Sequence, residues 1–288
     1  SNRVCIASSE LRIWFVLVSS TKAAYLATDA VAGAATTFDL GPHMTRGGFL
    51  MAMGTWTMDS GFGPDDFAVF VTSKGQVIVY AGNDPADAND WVHKGTYQIG
   101  PPIGRRCLMN VGPDLAVITI DGVVSLSQAI RQDRTVVNKA AITAKIQRAI
   151  NEATRNYGTN YGWQFITYPK GTYALLNVPL AEGVLSHQYV MNTLTGAWCR
   201  FIGQKAICWE IFKDRPFFGG VGGIVYEADK SGRDNGELIV ADMKTAFNHL
   251  RGAVSGGRTC RQFHATARGV GERPLWSNAL EIPARGPK

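Results

Sequence analysis

The feature that most constrains this chain is a cadence: a short apolar strand, a tight glycine turn, then a second short strand. It occurs at Phe67–Thr72, Gly75 and Gln76–Tyr80, at Leu115–Ile120, Asp121-Gly122 and Val123–Leu126, and at Pro216–Gly219, Gly222-Gly223 and Ile224–Tyr226. Two further strand pairs fall at Trp163–Thr167 with Thr172–Val178 and at Tyr189–Asn192 with Trp198–Phe201. Such short turns join antiparallel neighbours and leave no room for the crossovers that a parallel sheet needs. A succession of hairpins at quasi-regular spacing predicts an all-β fold, a β-propeller-like array of short antiparallel blades, with an open β-sandwich array as the alternative. Fold of this kind does not by itself give a chemistry.

The blades are read in order. A first hairpin-like unit runs from Arg12 to Leu40 with strands at Trp14–Val16 and Ala24–Leu26, and Ala30–Ala35 forms a short helical turn or a close backbone contact. Phe49–Trp56, Phe67–Thr72, Gln76–Ala81 and Val92–Ile99 make a full four-stranded unit, and Cys107–Val111 opens the next. Asn138–Asn156 then changes period: Ile142, Ile146 and Ile150 recur every fourth residue with Lys145, Arg148 and Glu152 outward, the pattern of an amphipathic helix inserted between blades. Another four-strand set follows from Trp163 to Phe201, and a last one takes in Ala206–Phe212, Phe217-Phe218, Val221–Tyr226 and Leu238–Ala241. The expected organisation is about four blade-like units in a body spanning residues 1–250, its helical insertion at about 138–156, with its N-terminal part missing upstream of Ser1, and a basic tail or clasp over 251–288.

Charge is unevenly placed. Eight of the 29 Lys and Arg but two of the 23 Asp and Glu lie from Lys244 onward, which leaves 21 of each sign in residues 1–243. A body that grips nucleic acid along its length carries a basic stripe, and this one is neutral. The five cysteines are scattered without a C-x-x-C pair, as reduced buried thiols are. No run approaches the roughly 18 apolar residues of a membrane span.

Chemistry-bearing patterns are sparse. His43, His93, His187, His249 and His264 are far apart in sequence and form no H-x-x-x-H pair, so no metal site is expected. Asp84, Asp87 and Asp90 lack the order of a calcium loop and read as turn formers, as do Asp229–Asp234. Asp65 and Asp66 are adjacent and point to opposite faces of a strand, which disfavours a cooperating acid–base pair. The run Gly219–Gly223 carries no G-K-[ST] and reads as a hairpin turn. Trp56, Trp91, Trp163, Trp198 and Trp209 sit near strand ends, where packing between blades accounts for them and a stacking platform for sugars or bases is the sharper alternative. No catalytic, cofactor or metal site is assigned.

Several phrases are more particular when taken in order: Tyr25–Gly41 (YLATDAVAGAATTFDLG), Thr45–Gly48 (TRGG), Thr55–Asp66 (TWTMDSGFGPDD), Phe70–Pro85 (FVTSKGQVIVYAGNDP), Ile99–Arg106 (IGPPIGRR), Leu115–Leu126 (LAVITIDGVVSL) and Met191–Arg200 (MNTLTGAWCR). This succession resembles the propeller-bearing tail proteins of bacteriophages and prophages, in particular the tail nozzle (tail tubular protein B-like) proteins of short-tailed phages. The resemblance covers most of residues 12–241 and does not extend to the basic tail. It implies a non-enzymatic structural protein of the virion tail, assembled in the host bacterial cytoplasm as a homo-hexameric ring below the head–tail adaptor. The lumen would pass the phage DNA and the outside would help carry fibre or spike proteins. On that reading Arg105, Arg106, Arg251, Arg258 and Arg261 are candidates for lumen or subunit contacts. A receptor- or carbohydrate-binding propeller of the tail is the alternative.

Overall fold

Strands here form in antiparallel runs because apolar residues alternate between two faces and glycine supplies the turns. The computed structural model describes residues 3–9, 12–59, 64–131 and 141–230, and beyond them the strand segments 233–234, 237–238, 240–244, 248–250, 259–261, 264–270 and 273–277. The chain divides into two compact units, Ser1–Glu227 and Ala228–Lys288.

The described residues of the first unit build five antiparallel sheets, each an up-and-down meander taken in chain order. The first holds β1 (Arg3–Ser9), β2 (Arg12–Leu17), β3 (Lys22–Tyr25) and β4 (Thr36–Asp39). The second holds β5 (Leu50–Asp59), β6 (Pro64–Thr72), β7 (Gln76–Ala81) and β8 (Val92–Gln98). The third is β9 (Leu108–Val111), β10 (Asp114–Thr119) and β11 (Gly122–Ser125), followed by a short helix, α1 (Leu126–Arg131). After α2 (Gln147–Tyr157) come β12 (Gln164–Tyr168), β13 (Tyr173–Ala181), β14 (Leu185–Asn192) and β15 (Trp198–Phe201), then β16 (Ala206–Phe212), β17 (Arg215–Gly220) and β18 (Val225–Glu227). The first strand of each sheet abuts the first strand of the next: β1 meets β5, β5 meets β9, β9 meets β12 and β12 meets β16. That serial packing makes the unit a propeller-like all-β array.

The second sheet shows why the array coheres. Along β6, Phe67, Val69 and Val71 face the third sheet and join Leu115, Val117 and Val124 in one core. The intervening Ala68 and Phe70 face the first sheet and pack with Trp14, Val16 and Tyr25 in another. A strand buried on both faces reads as an unbroken apolar run, and AVFV in β6 and VIV in β7 are such runs. The turn between them needs Gly75: its φ is +77°, and a side chain there would strike the Ile99 carbonyl and lie 2.7 Å from that of Gly100.

Several sequence expectations are corrected. Five sheets stand where about four units were expected, and Arg12–Leu40 belongs to a four-stranded sheet instead of a hairpin. β4 escapes a hydrophobic reading because it is a polar, mostly exposed edge strand, TTFD. Ala30–Ala35 forms no helix; it is a loop between β3 and β4 in which Val31 is 86% exposed. Leu126 starts α1 where a strand end was expected. The inserted helix begins at Gln147, well after the expected Asn138, of which residues 138–140 lie outside the described residues. The reason is local: the Ile142 amide donates to the Val123 carbonyl and the Val123 amide donates to Thr143 Oγ1, so these residues are held in a turn against β11 before a 3-10 turn, Ala144–Ile146, leads into α2. Ile150 and Ala153 then seat α2 on the core.

The second unit starts at Ala228, so the expected boundary near residue 250 and the strand expected at Leu238–Ala241 both fall inside it. There β19 (Arg233–Asp234) pairs with β20 (Glu237–Leu238), and β21 (Val240–Lys244) pairs with β24 (His264–Val270), which also pairs with β25 (Arg273–Ser277). β22 (Asn248–Leu250) pairs with β23 (Thr259–Arg261).

Candidate functional site

Arg105 and Arg106 lie on the connection from β8 to β9 and diverge. The Arg105 guanidinium sits 5.8 Å from the centre of the Phe49 ring, with one nitrogen buried and without a hydrogen-bond partner among the described residues. That of Arg106 lies 5.4 Å from the Tyr161 ring and is more exposed. Arg261 ends β23 in the second unit, and Arg251 and Arg258 lie outside the described residues. Of the five candidates, the described side chains are those of Arg105 and Arg106, and they lie against different rings.

The aspartate turn has a structural use. Asp90 Oδ2 accepts from the amides of Asn83 (2.6 Å) and Asp84 (2.7 Å), Asp87 accepts from Asn89, and Asp84 accepts from Ala86. Asp84 also pairs at 3.0 Å with Arg12, which ties the first sheet to the second. Carboxylates engaged by their own backbone make turns of this kind. Asp66 likewise accepts from Thr57 Oγ1 at 2.6 Å. Trp56, Trp91, Trp163 and Trp209 are buried, with Trp91 stacked between Trp14 and Tyr80 at 5.7 Å and 5.4 Å.

The fourth and fifth sheets meet through a polar seam. Asn177, fully buried in β13, donates to the carbonyls of Gly162 and Ala206 and accepts from Gln188 Nε2 and Trp209 Nε1. Gln164 exchanges both of its amide atoms with the backbone of Trp209, at 2.7 Å and 2.9 Å. Ser186 Oγ donates to the Gln204 carbonyl, to which Gln188 also donates.

On the opposite face of β14, His187 packs 4.8 Å from the Tyr189 ring with a buried Nε2 that has no hydrogen-bond partner among the described residues. Burial first, and the positive charge of Arg200 second, lower its pKa to about 4. The unfolded chain protonates this imidazole near 6.5 while the folded one stays neutral, so its contribution to stability is complete above about pH 6.5 and falls away down to about pH 4. We expect His187→Gln to remove a loss on the order of 1–2 kcal/mol over that window, a figure discounted for solvent screening at a partly buried group. The difference in melting temperature between the two proteins, followed against pH, measures it.

The second polar constellation lies where the β4–β5 connection crosses the second sheet. His43, at the end of a 3-10 turn (Gly41–His43), stacks on His93 of β8 with ring centres 4.0 Å apart and planes at 27°, and Tyr80 meets both rings edgewise or tilted. His93 Nε2 is 3.0 Å from Thr96 Oγ1. Burial and the neighbouring His43 lower the His93 pKa. Among the described residues no group of three or more His, Cys, Asp or Glu side chains is placed to hold a metal ion. Beside the pair is a cavity of about 270 Å³ lined by Pro42, His43, Thr45, Arg46, Gln76, Thr96, Tyr97 and Gln98. Buried Gln76 fixes its wall: Oε1 accepts from the Arg46 amide and Nε2 donates to Thr45 Oγ1, both at 2.9 Å. The following Gly48 has φ +91° with Ser73 Oγ against the position a Cβ would take, which is why the TRGG phrase ends in glycine. Sequence reasoning missed this pairing because the two histidines stand fifty residues apart.

Elsewhere, the polar face of α2 (Arg148, Asn151, Glu152, Arg155, Asn156) lines an open cavity of about 710 Å³.

Comparison with known proteins returns no matching family model and no matching curated protein. Among solved structures, a protein from Lactobacillus plantarum is similar over 96% of this chain and 70% of its own, at 12% identity and a TM-score of 0.35.

Proposed function

We propose that this chain is a structural subunit of a phage tail, forming part of the nozzle below the head–tail adaptor through which DNA is ejected. The observation that carries this reading is where the resembling phrases fall. TWTMDSGFGPDD spans β5 and β6, FVTSKGQVIVYAGNDP runs from β6 through β7 into the aspartate turn, LAVITIDGVVSL is the β10–β11 hairpin, and MNTLTGAWCR joins β14 to β15. The likeness thus follows the hairpins of successive sheets. The neutral charge of residues 1–243 supports a wall past which DNA slides, since each phosphate held adds friction. The reading assigns no catalytic step. Its partners are further copies of the chain in a hexameric ring, the adaptor, and fibre or spike proteins.

Immunogold electron microscopy of particles tests it: gold on the distal tail axis is the expected result, and gold on lateral fibres would replace it with a receptor-binding role. The lumen assignment has its own test. Arg106 is exposed at the surface, so Arg106→Ser is expected to leave stability within about 0.5 kcal/mol while impairing genome retention or ejection. Unchanged DNA release from particles carrying the variant would remove Arg106 from the lumen. Arg105→Ser is the poorer probe because it also strips a partly buried side chain from Phe49.

A further inference from the structure

We propose that the apolar slot where the β13–β14 turn meets the β15–β16 connection docks another protein, through a segment that sets an aliphatic side chain between carboxylates.

Exposure comes first. Large apolar side chains standing singly on a surface need no explanation, but several gathered around one concavity mark a contact surface. Here Tyr161, Pro179, Val184, Leu185 and Ile207 line one slot of about 10 Å³ together with Lys205. Val184 is 60% exposed, Tyr161 55% and Leu185 42%. Ile202, on the connection that leads from β15 to Lys205, is 71% exposed.

The wall of the slot asks nothing polar of its occupant. Asn160 Nδ2 donates to the Pro179 and Leu180 carbonyls, and Ser186 Oγ donates to the Gln204 carbonyl. The Gly162 and Ala206 carbonyls accept from Asn177 on the inner side. With those groups engaged, contact is favoured by burial of hydrocarbon. The floor has room for about one water-sized group, which fits the methyl of an aliphatic side chain and not a ring.

The rim sets the charge of the partner. Glu182, on the β13–β14 turn, already accepts from the Tyr161 amide at 2.6 Å. The Arg106 guanidinium is held 5.4 Å from the centre of the Tyr161 ring and makes no hydrogen bond or ion pair among the described residues. A guanidinium resting on an aromatic ring keeps its fork of N–H donors for a carboxylate. Lys205 adds a second cation at the slot. An apolar centre with a cationic rim is complementary to an aliphatic side chain flanked by carboxylates, and such pairing fixes orientation and speeds encounter.

Fluorescence anisotropy of a labelled, end-blocked peptide with leucine and valine between two glutamates, titrated with the full chain, tests this. Saturable binding with a Kd below about 1 mM is expected. The counterpart with lysines in place of the glutamates is expected to bind about tenfold more weakly or worse. Arg106→Gln is expected to weaken the acidic peptide about tenfold, and Val184→Ser about fivefold. Both positions are exposed, so neither change threatens the fold. Equal binding of the two peptides, absence of saturation up to about 5 mM, or indifference to both substitutions would each overturn the proposal. Sedimentation of the chain alone covers the remaining occupant: a state of association that Val184→Ser leaves unchanged is expected. Self-association abolished by that substitution would assign the slot to a second copy and overturn the acidic partner. These measurements involve neither DNA nor particles, so they stand apart from the tail reading and from the lumen test of Arg106.

Discussion

Asn177→Ala is expected to lower the stability of the first unit by about 3–5 kcal/mol, with denaturant midpoint as the measure. One side chain there closes four hydrogen bonds inside a seam that water does not reach: two to backbone carbonyls on different segments, two from side-chain donors. Truncation leaves the Gly162 and Ala206 carbonyls and Trp209 Nε1 short of a partner, while Gln188 Nε2 keeps its bond to the Gln204 carbonyl. An unpaired buried group costs about 1–3 kcal/mol, and partial re-pairing through Gln188 keeps the total below the simple sum. Asn177→Asp is the instructive companion. It preserves shape and the acceptor but loses both donations and buries a charge, so it is expected to be at least as harmful as alanine. A near-neutral Asn177→Asp would mean that the seam is open to water.

Phe70→Ala is expected to cost about 3–5 kcal/mol by a different route. Phe70 is fully buried and touches an aromatic cluster across the first and second sheets, with ring centres 5.6 Å from Trp14, 6.3 Å from Phe38 and 6.2 Å from Tyr80. Its removal takes away transfer energy and leaves a void between two stiff sheets that cannot close on it. Phe70→Leu, which retains most of the volume, is expected to restore more than half of the loss. Urea unfolding followed by tryptophan fluorescence reports the change, since Trp14 and Trp91 lie in the same cluster.

How much of this was legible beforehand depends on the range of the forces involved. The β6–Gly75–β7 hairpin and the β10–β11 hairpin were readable because an unbroken apolar run and a turn glycine of positive φ are both local. β4 was not, since an exposed edge strand needs no apolar face; its residues are extended only because β3 pairs with them. The onset of α2 was misplaced because Val123, nineteen residues before Ile142, competes for its backbone. Asn177 did leave a trace: an amide inside the apolar run YALLNVPLA signals a buried partner, though the partner itself is supplied by the next sheet. The His43–His93 contact left none, because two solitary histidines acquire a relation only when a loop is laid across a strand. Gln76, a polar residue opening the apolar run QVIVYA, was the one local hint that something is fastened there.

The two kinds of seam differ in what happens when neighbouring sheets are pushed past each other. Between the first and second sheets, where the Arg12–Asp84 ion pair is the one polar tie described above, aromatic faces slide with a gradual loss of contact, so that joint is the more compliant under shear. Between the fourth and fifth, Gln164 and Asn177 are keyed to individual backbone atoms, and a displacement of little more than an ångström breaks several bonds together. That joint is stiff and then fails abruptly. Pulled along its strands, the array would bend at its aromatic end and hold its shape at its amide end.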